Sequence, residues 1–189
     1  MPLSLSRPFR QTLNHGRRRC LISDRDNGVE VTVVHFFNNA EVFEKADRLY
    51  DVVAGRLREI LPWAEHHHVG CTAVPGSRTK GDLDIAVRVP QERFEEADAV
   101  LAGQFSRNLG SDRTTYFSAF QDVTTDPDLG VQLVAIGSPA DSFLAWISRL
   151  RTDPDLRRRY DRLKERYEGA PMDEYRLAKS EFIRENLDG

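Results

Sequence analysis

Eight residues, Asp82 to Val89, read DLDIAVRV and repeat with a period of two. That period is the mark of a strand: Leu83, Ile85, Val87 and Val89 fall on one face, and Asp82, Asp84, Ala86 and Arg88 on the other. A segment of this kind must lay its branched side against a core while its two carboxylates face a cleft or solvent. Carboxylates at i and i+2 start roughly 6–7 Å apart along a strand. They repel unless a cation sits between them, and a hard ion such as Mg²⁺ takes oxygen ligands while keeping waters for substrate phosphates. Asp82 and Asp84 are therefore read as metal ligands and, with Lys80, as the catalytic candidates. The plainer alternative is an acidic, solvated face at a sheet edge.

Upstream, a short strand-like segment, AEHHHV (64–69), breaks at Gly70-Cys71-Thr72, and a loop holding Pro75 and Gly76 leads on to Lys80. A helix starting at that break would offer free N–H groups and its dipole to a phosphate. Glycine allows the close backbone approach this needs. Gly70, Cys71, Thr72, Gly76 and Lys80 are thus expected to bind a nucleotide or another phosphate-bearing small molecule. A phosphate turn joined to a carboxylate pair suits phosphoryl or nucleotidyl transfer better than hydrolysis by a side-chain nucleophile. His66, His67 and His68 resemble a metal cluster, but consecutive strand residues alternate faces and do not easily share one ion. Their expected role is structural, with His68 bracing the turn.

The rest of the chain supplies a scaffold. Strands are predicted at Val29 to Phe36, Thr114 to Phe120 and Val131 to Ile136, the last two as an antiparallel pair across the turn-rich TTDPDLG. Apolar residues at three- and four-residue steps predict helices over Ala40 to Leu61 and Gln91 to Ala102. Three more are predicted in the last third, with Pro139 and Pro154 near two helix starts, Asp153 as an N-cap, and a final helix after Pro171. Trp63 and Trp146 read as core or cleft wall. The expected class is α/β (α+β): a mixed sheet flanked by helices, with a helical C-terminal segment. A length of 189 residues fits one domain, 29–189, preceded by a basic and flexible arm, 1–28.

Composition narrows the partners. The 27 Lys and Arg against 30 Asp and Glu leave a net charge of −3, so no global field draws in nucleic acid or an anionic membrane. No apolar run approaches the roughly 20 residues that span a bilayer. Two cysteines, Cys20 and Cys71, and no apolar leader segment fit a cytoplasmic protein with reduced thiols. The arginines between Arg7 and Arg25 keep a nucleic-acid contact through the arm open.

The segment HVGCTAVPGSRTKGDLDIAVRV resembles the signature of the GrpB family, a branch of the nucleotidyltransferase superfamily, written H-[IV]-G-S-T-[AS]-V-P-G with a following lysine and acidic strand. VQLVAIGSP, DPDLRRRYDRLKERY and EYRLAKSEFI resemble that family's closing strand and terminal helices, so the likeness runs from Val29 to Leu187. It implies a nucleotidyltransferase-like mixed sheet, with Gly70 and Cys71 at the phosphate-binding turn and Asp82 and Asp84 at the metal-ligand positions. It also implies C-terminal helices that flank the cleft, from which Tyr160, Lys164 or Lys179 would reach a nucleotide. Two departures stand out. Cys71 replaces the usual serine, a weaker donor. Gln132 occupies the place of a third carboxylate, where it is a poorer Mg²⁺ ligand than Asp and is expected instead among the phosphate- and nucleotide-binding residues. Either one metal suffices, an acid from elsewhere completes the site, or the protein binds without turnover. The expected function is Mg²⁺-dependent nucleotidyl transfer from an NTP to an acceptor. The alternative is a silent nucleotide- or phosphate-binding module, coenzyme A-related or RNA-associated.

Overall fold

The computed structural model describes residues 20–23 and 30–187. Its centre is a five-stranded mixed sheet in the order β3-β4-β7-β6-β5, built from β3 (Glu65–Val69), β4 (Leu83–Val89), β5 (Ser106–Arg107), β6 (Phe117–Asp122) and β7 (Leu129–Ala135). β4 runs antiparallel to β3 and parallel to β7, while β6 pairs antiparallel with β7. Five helices accompany it: α1 (Ala40–Ile60), α2 (Phe94–Ala102), α3 (Phe143–Thr152), α4 (Pro154–Arg166) and α5 (Met172–Leu187). None of these is long and apolar enough to cross a membrane.

The alternation of DLDIAVRV is expressed as two covered faces. Leu83, Ile85, Val87 and Val89 join Val53 and Leu57 of α1 and Phe94, Ala97 and Leu101 of α2 in one core. On the opposite face Ala86 and Val69 pack with Trp146, Ile147 and Leu150 of α3 and Leu156, Tyr160 and Leu163 of α4. Each fully buried Val, Leu, Ile or Phe side chain among them contributes about 1.5–3 kcal/mol. Asp84 therefore sits on an internal strand roofed by helices, with Asp82 at the residue just before that strand, and not on a solvated sheet edge. Of the four residues on their face, Arg88 is removed from the cleft by a two-bond pair with Asp141, at 2.7 Å for each bond, and by Glu65.

Local signals explain the helix ends. The Asn39 side chain caps α1 by accepting from the Val42 amide, and Asp153 caps α4 by accepting from Asp155 and Leu156. Pro154 occupies the first turn of α4, where a missing N–H costs nothing. Pro139, by contrast, stands in a run of turns, and α3 begins at Phe143. The segment predicted as a helix from Gln91 opens as a 3₁₀ turn, Gln91–Arg93, before α2.

Strand limits shift as well. Thr114 accepts the Tyr116 and Phe117 amides in a side-chain turn, so β6 starts at Phe117. The strand predicted over Val29 to Phe36 shortens to β2 (Glu30–Val33), which pairs with β1 (Cys20–Ser23) in a separate two-stranded sheet. Val34 instead exchanges backbone bonds with Gly169 and Ala170, and Phe36 packs on Tyr175, which ties this segment to the α4–α5 junction. Within the predicted arm, 20–23 is thus a strand; its remaining residues lie outside those described.

Asp98 fastens α2 to the far side of the sheet. Its carboxylate, 4% exposed, takes two bonds from Arg107 of β5 and further bonds from Ser118 of β6 and Arg113. Burial alone would raise this carboxyl, but the bonds from Arg107, Ser118 and Arg113 outweigh it and hold the group far below its ordinary 3.8. A group lowered on folding adds stability above its unfolded value and loses it as pH falls toward the folded one. Asp98→Asn is therefore expected to cost about 3 kcal/mol at pH 7 in urea denaturation, with the gap to the parent narrowing as pH drops below about 4.

Candidate functional site

The β3–β4 hairpin and its neighbour β7 bring the site together. Val69, the last residue of β3, pairs with Asp84, so Gly70 turns away beside the Asp84 carboxylate. Gly70 has φ of 74°, a conformation that glycine tolerates best. An added Cβ there would lie 2.5 Å from Asp84 Oδ2. On β7, Gly130 pairs with Asp84, and a Cβ at that position would lie 2.7 Å from Asp84 Oδ1. One carboxylate is thus cradled by two glycines. Gln132 closes the cradle, its Nε2 donating to Asp84 Oδ1 at 2.8 Å.

Beyond Gly70 the chain forms one 3₁₀ turn, Cys71–Ala73, and not the helix anticipated there. The macrodipole contribution is accordingly absent, and local N–H groups are what the turn can offer. Thr72 is buried: its hydroxyl donates to the Asp82 carbonyl at 3.0 Å and meets His68 Nε2 at 3.0 Å. His68 in turn stacks on Tyr50 and faces Asp47. His67 meets Glu65 instead, so the histidine run braces several neighbours and gathers on no common point. Gly76, with φ of 78°, serves its own turn, where an added Cβ would meet nothing.

Lys80 Nζ lies 2.6 Å from Asp82 Oδ2. The loop that delivers it is anchored on both sides. Thr79 exchanges backbone bonds with Phe37, and Ser77 and the Arg78 amide bond to Asp161 of α4. Lys164, fully buried, donates to Ser77, to the Arg78 carbonyl and to Asp161, and so holds this loop and reaches no ligand.

Gly70, Cys71, Lys80, Asp82, Asp84 and Gln132 line one inner chamber of about 120 Å³. Its opposite wall is Phe36, Trp146, Tyr160 and Tyr175, with Lys179 one turn beyond Tyr175. Thr72 and Gly76 line neither this chamber nor the adjoining one. Two residues that matter here went unread in the sequence. Gly130 carries a signal in retrospect, since a glycine inside a strand pattern marks close approach. Tyr175 carries no mark beyond its place in the final helix, although Lys179, four residues on, shares its face.

Electrostatics separates the two aspartates. Burial pushes the Asp84 carboxyl up to about 6, and the Asp82 charge adds to the rise against Lys179, Lys80 and the Gln132 amide. Burial acts on Asp82 too, but the charge and hydrogen bond of Lys80 outweigh it and lower that group. Lys80 is raised, chiefly by Asp82. The pair is thus one settled carboxylate and one poised to take or lose a proton near neutrality. A divalent ion would find two oxygen ligands, and Gln132 Oε1 is buried without a hydrogen-bond partner among the described residues. Rotation of that amide would offer a third oxygen, so the donor set fits a hard cation. Among the described residues no third His, Cys, Asp or Glu joins the pair.

The profile of the GrpB protein family matches residues 39–188. The chain belongs to the GrpB family. A UPF0157 protein of Vibrio cholerae is 30% identical over 168 residues, 88% of this chain and 85% of the relative. The crystal structure of conserved protein GrpB from Enterococcus faecalis superposes with a TM-score of 0.61 at 18% identity, covering 82% of this chain and 98% of that one. A partial likeness, TM-score 0.45 and 15% identity over 65% of this chain and 41% of the other, is to the Cid1 poly (U) polymerase with MgGTP bound. The GrpB match takes in every residue of the cradle.

The cradle makes a steric prediction for this GrpB chain. Gly130→Ala forces the new methyl into the Asp84 carboxylate and is expected to cost about 1–3 kcal/mol. In an Asp84→Ala background the same substitution should cost little, giving a coupling energy of more than about 1 kcal/mol in a double-mutant cycle followed by thermal denaturation.

Proposed function

We propose that this protein transfers a nucleotidyl group from an NTP to an acceptor, in the cytoplasm, with Mg²⁺ held by Asp82 and Asp84. What most supports the reading is the convergence of the Gly70–Cys71 turn, the carboxylate pair and the amines of Lys80 and Lys179 on one chamber. The backbone at Gly70 and Cys71 cradles phosphate oxygens. Lys80 and Lys179 offset their charge, and Asp82, which pairs with Lys80, would hold the cation together with Asp84. Gln132 steadies Asp84 through its amide. When bound, the ion would neutralise charge on the transferred phosphate and orient it. Phe36, Trp146, Tyr160 and Tyr175 keep bulk water from the phosphate side.

A second reading, a silent nucleotide- or phosphate-binding module, is favoured by Gln132 in place of a third carboxylate and by the close Lys80–Asp82 pair. Incubation with each labelled NTP separates the two. Asp84-dependent release of diphosphate in the presence of an acceptor supports transfer, whereas tight NTP binding with no release under any condition supports the module.

Two measurements test the site itself. In calorimetry Asp82→Ala or Asp84→Ala should abolish Mg²⁺-dependent NTP binding, and unchanged binding in both variants removes the proposal. The pH dependence follows from Asp84, which must lose its proton before it can ligate a cation. Apparent Mg²⁺–NTP affinity should therefore rise close to tenfold per pH unit below about 6 and level off above it, because only the ionised fraction binds. In Asp84→Asn that slope should vanish.

A further inference from the structure

The outer surface at the α3–α4 corner carries charge that the fold does not use. From Arg149 to Glu168 the chain places eight cations against five acids, a local excess in a protein whose net charge is −3. Each of the five acids is already engaged. Asp153 caps α4, Asp155 pairs with Arg158, and Asp161 holds Lys164 and the Ser77–Arg78 loop. Glu165 pairs with Arg78, and Glu168 meets His35 and accepts from the Phe36 amide. Arg149, Arg159, Arg162 and Arg166 are left with no ion pair among the described residues; the last three are exposed and Arg149 is half-buried.

Spacing makes these four one feature. Residues 159, 162 and 166 follow at three- and four-residue steps, a single stripe about 10 Å long on α4, while Leu156, Tyr160 and Leu163 turn into the core. Asp153, held low chiefly by its bond from the Leu156 amide, also feels Arg159 and Arg149, so these two side chains, one from each helix, share the corner. Helix electrostatics accounts for only half of the set. A cation is favoured in a last turn, which suits Arg149 and Arg166, but not Arg159, in the second turn of α4, nor Arg162.

We infer that this stripe is a docking face for duplex RNA, gripping the phosphates of one strand. Guanidinium groups bind phosphate oxygens through paired N–H donors and stay charged at any physiological pH. The composition of the face argues against other partners. No large apolar side chain is exposed on α3 or α4 among the described residues, so a protein partner finds no anchor and a lipid surface no face to take up. Nor is there an exposed aromatic ring on which unpaired bases would stack. DNA reading by a helix lodges it in the major groove, and Asp155 and Glu165, both exposed on α4, would then be pressed toward phosphates. The major groove of A-form RNA is too deep and narrow to be read in that way, and the duplex is held from outside through its phosphates. A one-sided row of arginines fits that mode. Such docking requires no chemistry in the chamber.

Filter binding of the full chain to an end-labelled RNA duplex of about 20 base pairs, across a salt series, provides the test. Four phosphate contacts predict that log K falls with log salt at a slope of about −3 to −4. Arg159→Gln with Arg162→Gln and Arg166→Gln should weaken binding about tenfold or more near 0.1 M salt and flatten the slope by about 3. A control of equal charge, Arg48→Gln with Arg58→Gln and Arg184→Gln, uses exposed residues of α1 and α5 and should leave affinity within about threefold. All six side chains are exposed, so both variants are expected to keep the thermal melt of the parent. A DNA duplex of the same sequence, the single RNA strand and polyglutamate are run as competing ligands. The inference falls if any of these binds as tightly as the RNA duplex, or if the RNA duplex fails to bind at about 0.05 M salt. It falls equally if the stripe variant matches the control, as it would were binding carried by another part of the chain.

Discussion

The arrangement of this protein turns on one carboxylate held between two glycines. Asp84 lies on an internal strand, with the backbone of Gly70 on one flank and that of Gly130 on the other, each so near that a methyl group would overlap its oxygens. Three strands must keep register for this to occur: β3 to place Gly70, β4 to carry Asp84 and β7 to supply Gly130 and Gln132. A slip of one residue in any of them would turn the site residues to the opposite face of the sheet. The apolar set on that face, fixed by α1 and α2, is therefore what specifies the geometry of the acidic one.

Burial at this point gives Asp84 its character. A solvated pair of aspartates would ionise together at low pH and repel one another. Under the roof of α3 to α5 the two groups divide: Lys80 stabilises the charge on Asp82, and Asp84 is left to titrate at about 6. A raised carboxyl is destabilising to the fold at neutral pH, because the unfolded chain releases that proton more readily. Such a cost at a cleft, next to an amide oxygen that is unpaired among the described residues, belongs with function more than with architecture.

Much of this could be read from residues alone, and the limits are instructive. The strand predicted over 82–89, found at Leu83–Val89, the break at Gly70 and the Asp153–Pro154 helix start are local signals, governed by side-chain period, backbone permissiveness and capping. Gly130 leaves only the faint local mark of a glycine within a strand, and the depth of Asp84 beneath helices depends on partners in the last third of the chain, which no local pattern encodes. The expected helix at Gly70 gave way to a single 3₁₀ turn, while Thr72 was drawn inward by His68 and the Asp82 carbonyl. Lys164, expected to reach a nucleotide, is held elsewhere by partners distant in sequence: Ser77, Arg78 and Asp161 take up its ammonium inside the protein.

The aromatic wall of the inner chamber has an optical consequence. Trp146 meets Tyr160 and Phe182 edge-on and faces the cavity, whereas the only other tryptophan, Trp63, lies far along the chain at the end of α1, its ring covered by the Arg93 guanidinium. Intrinsic emission from this protein therefore has two sources in unlike surroundings. One is shielded by a fixed cation, and the other looks directly into the space where a ligand would arrive, so the molecule carries its own fluorescent gauge of chamber occupancy.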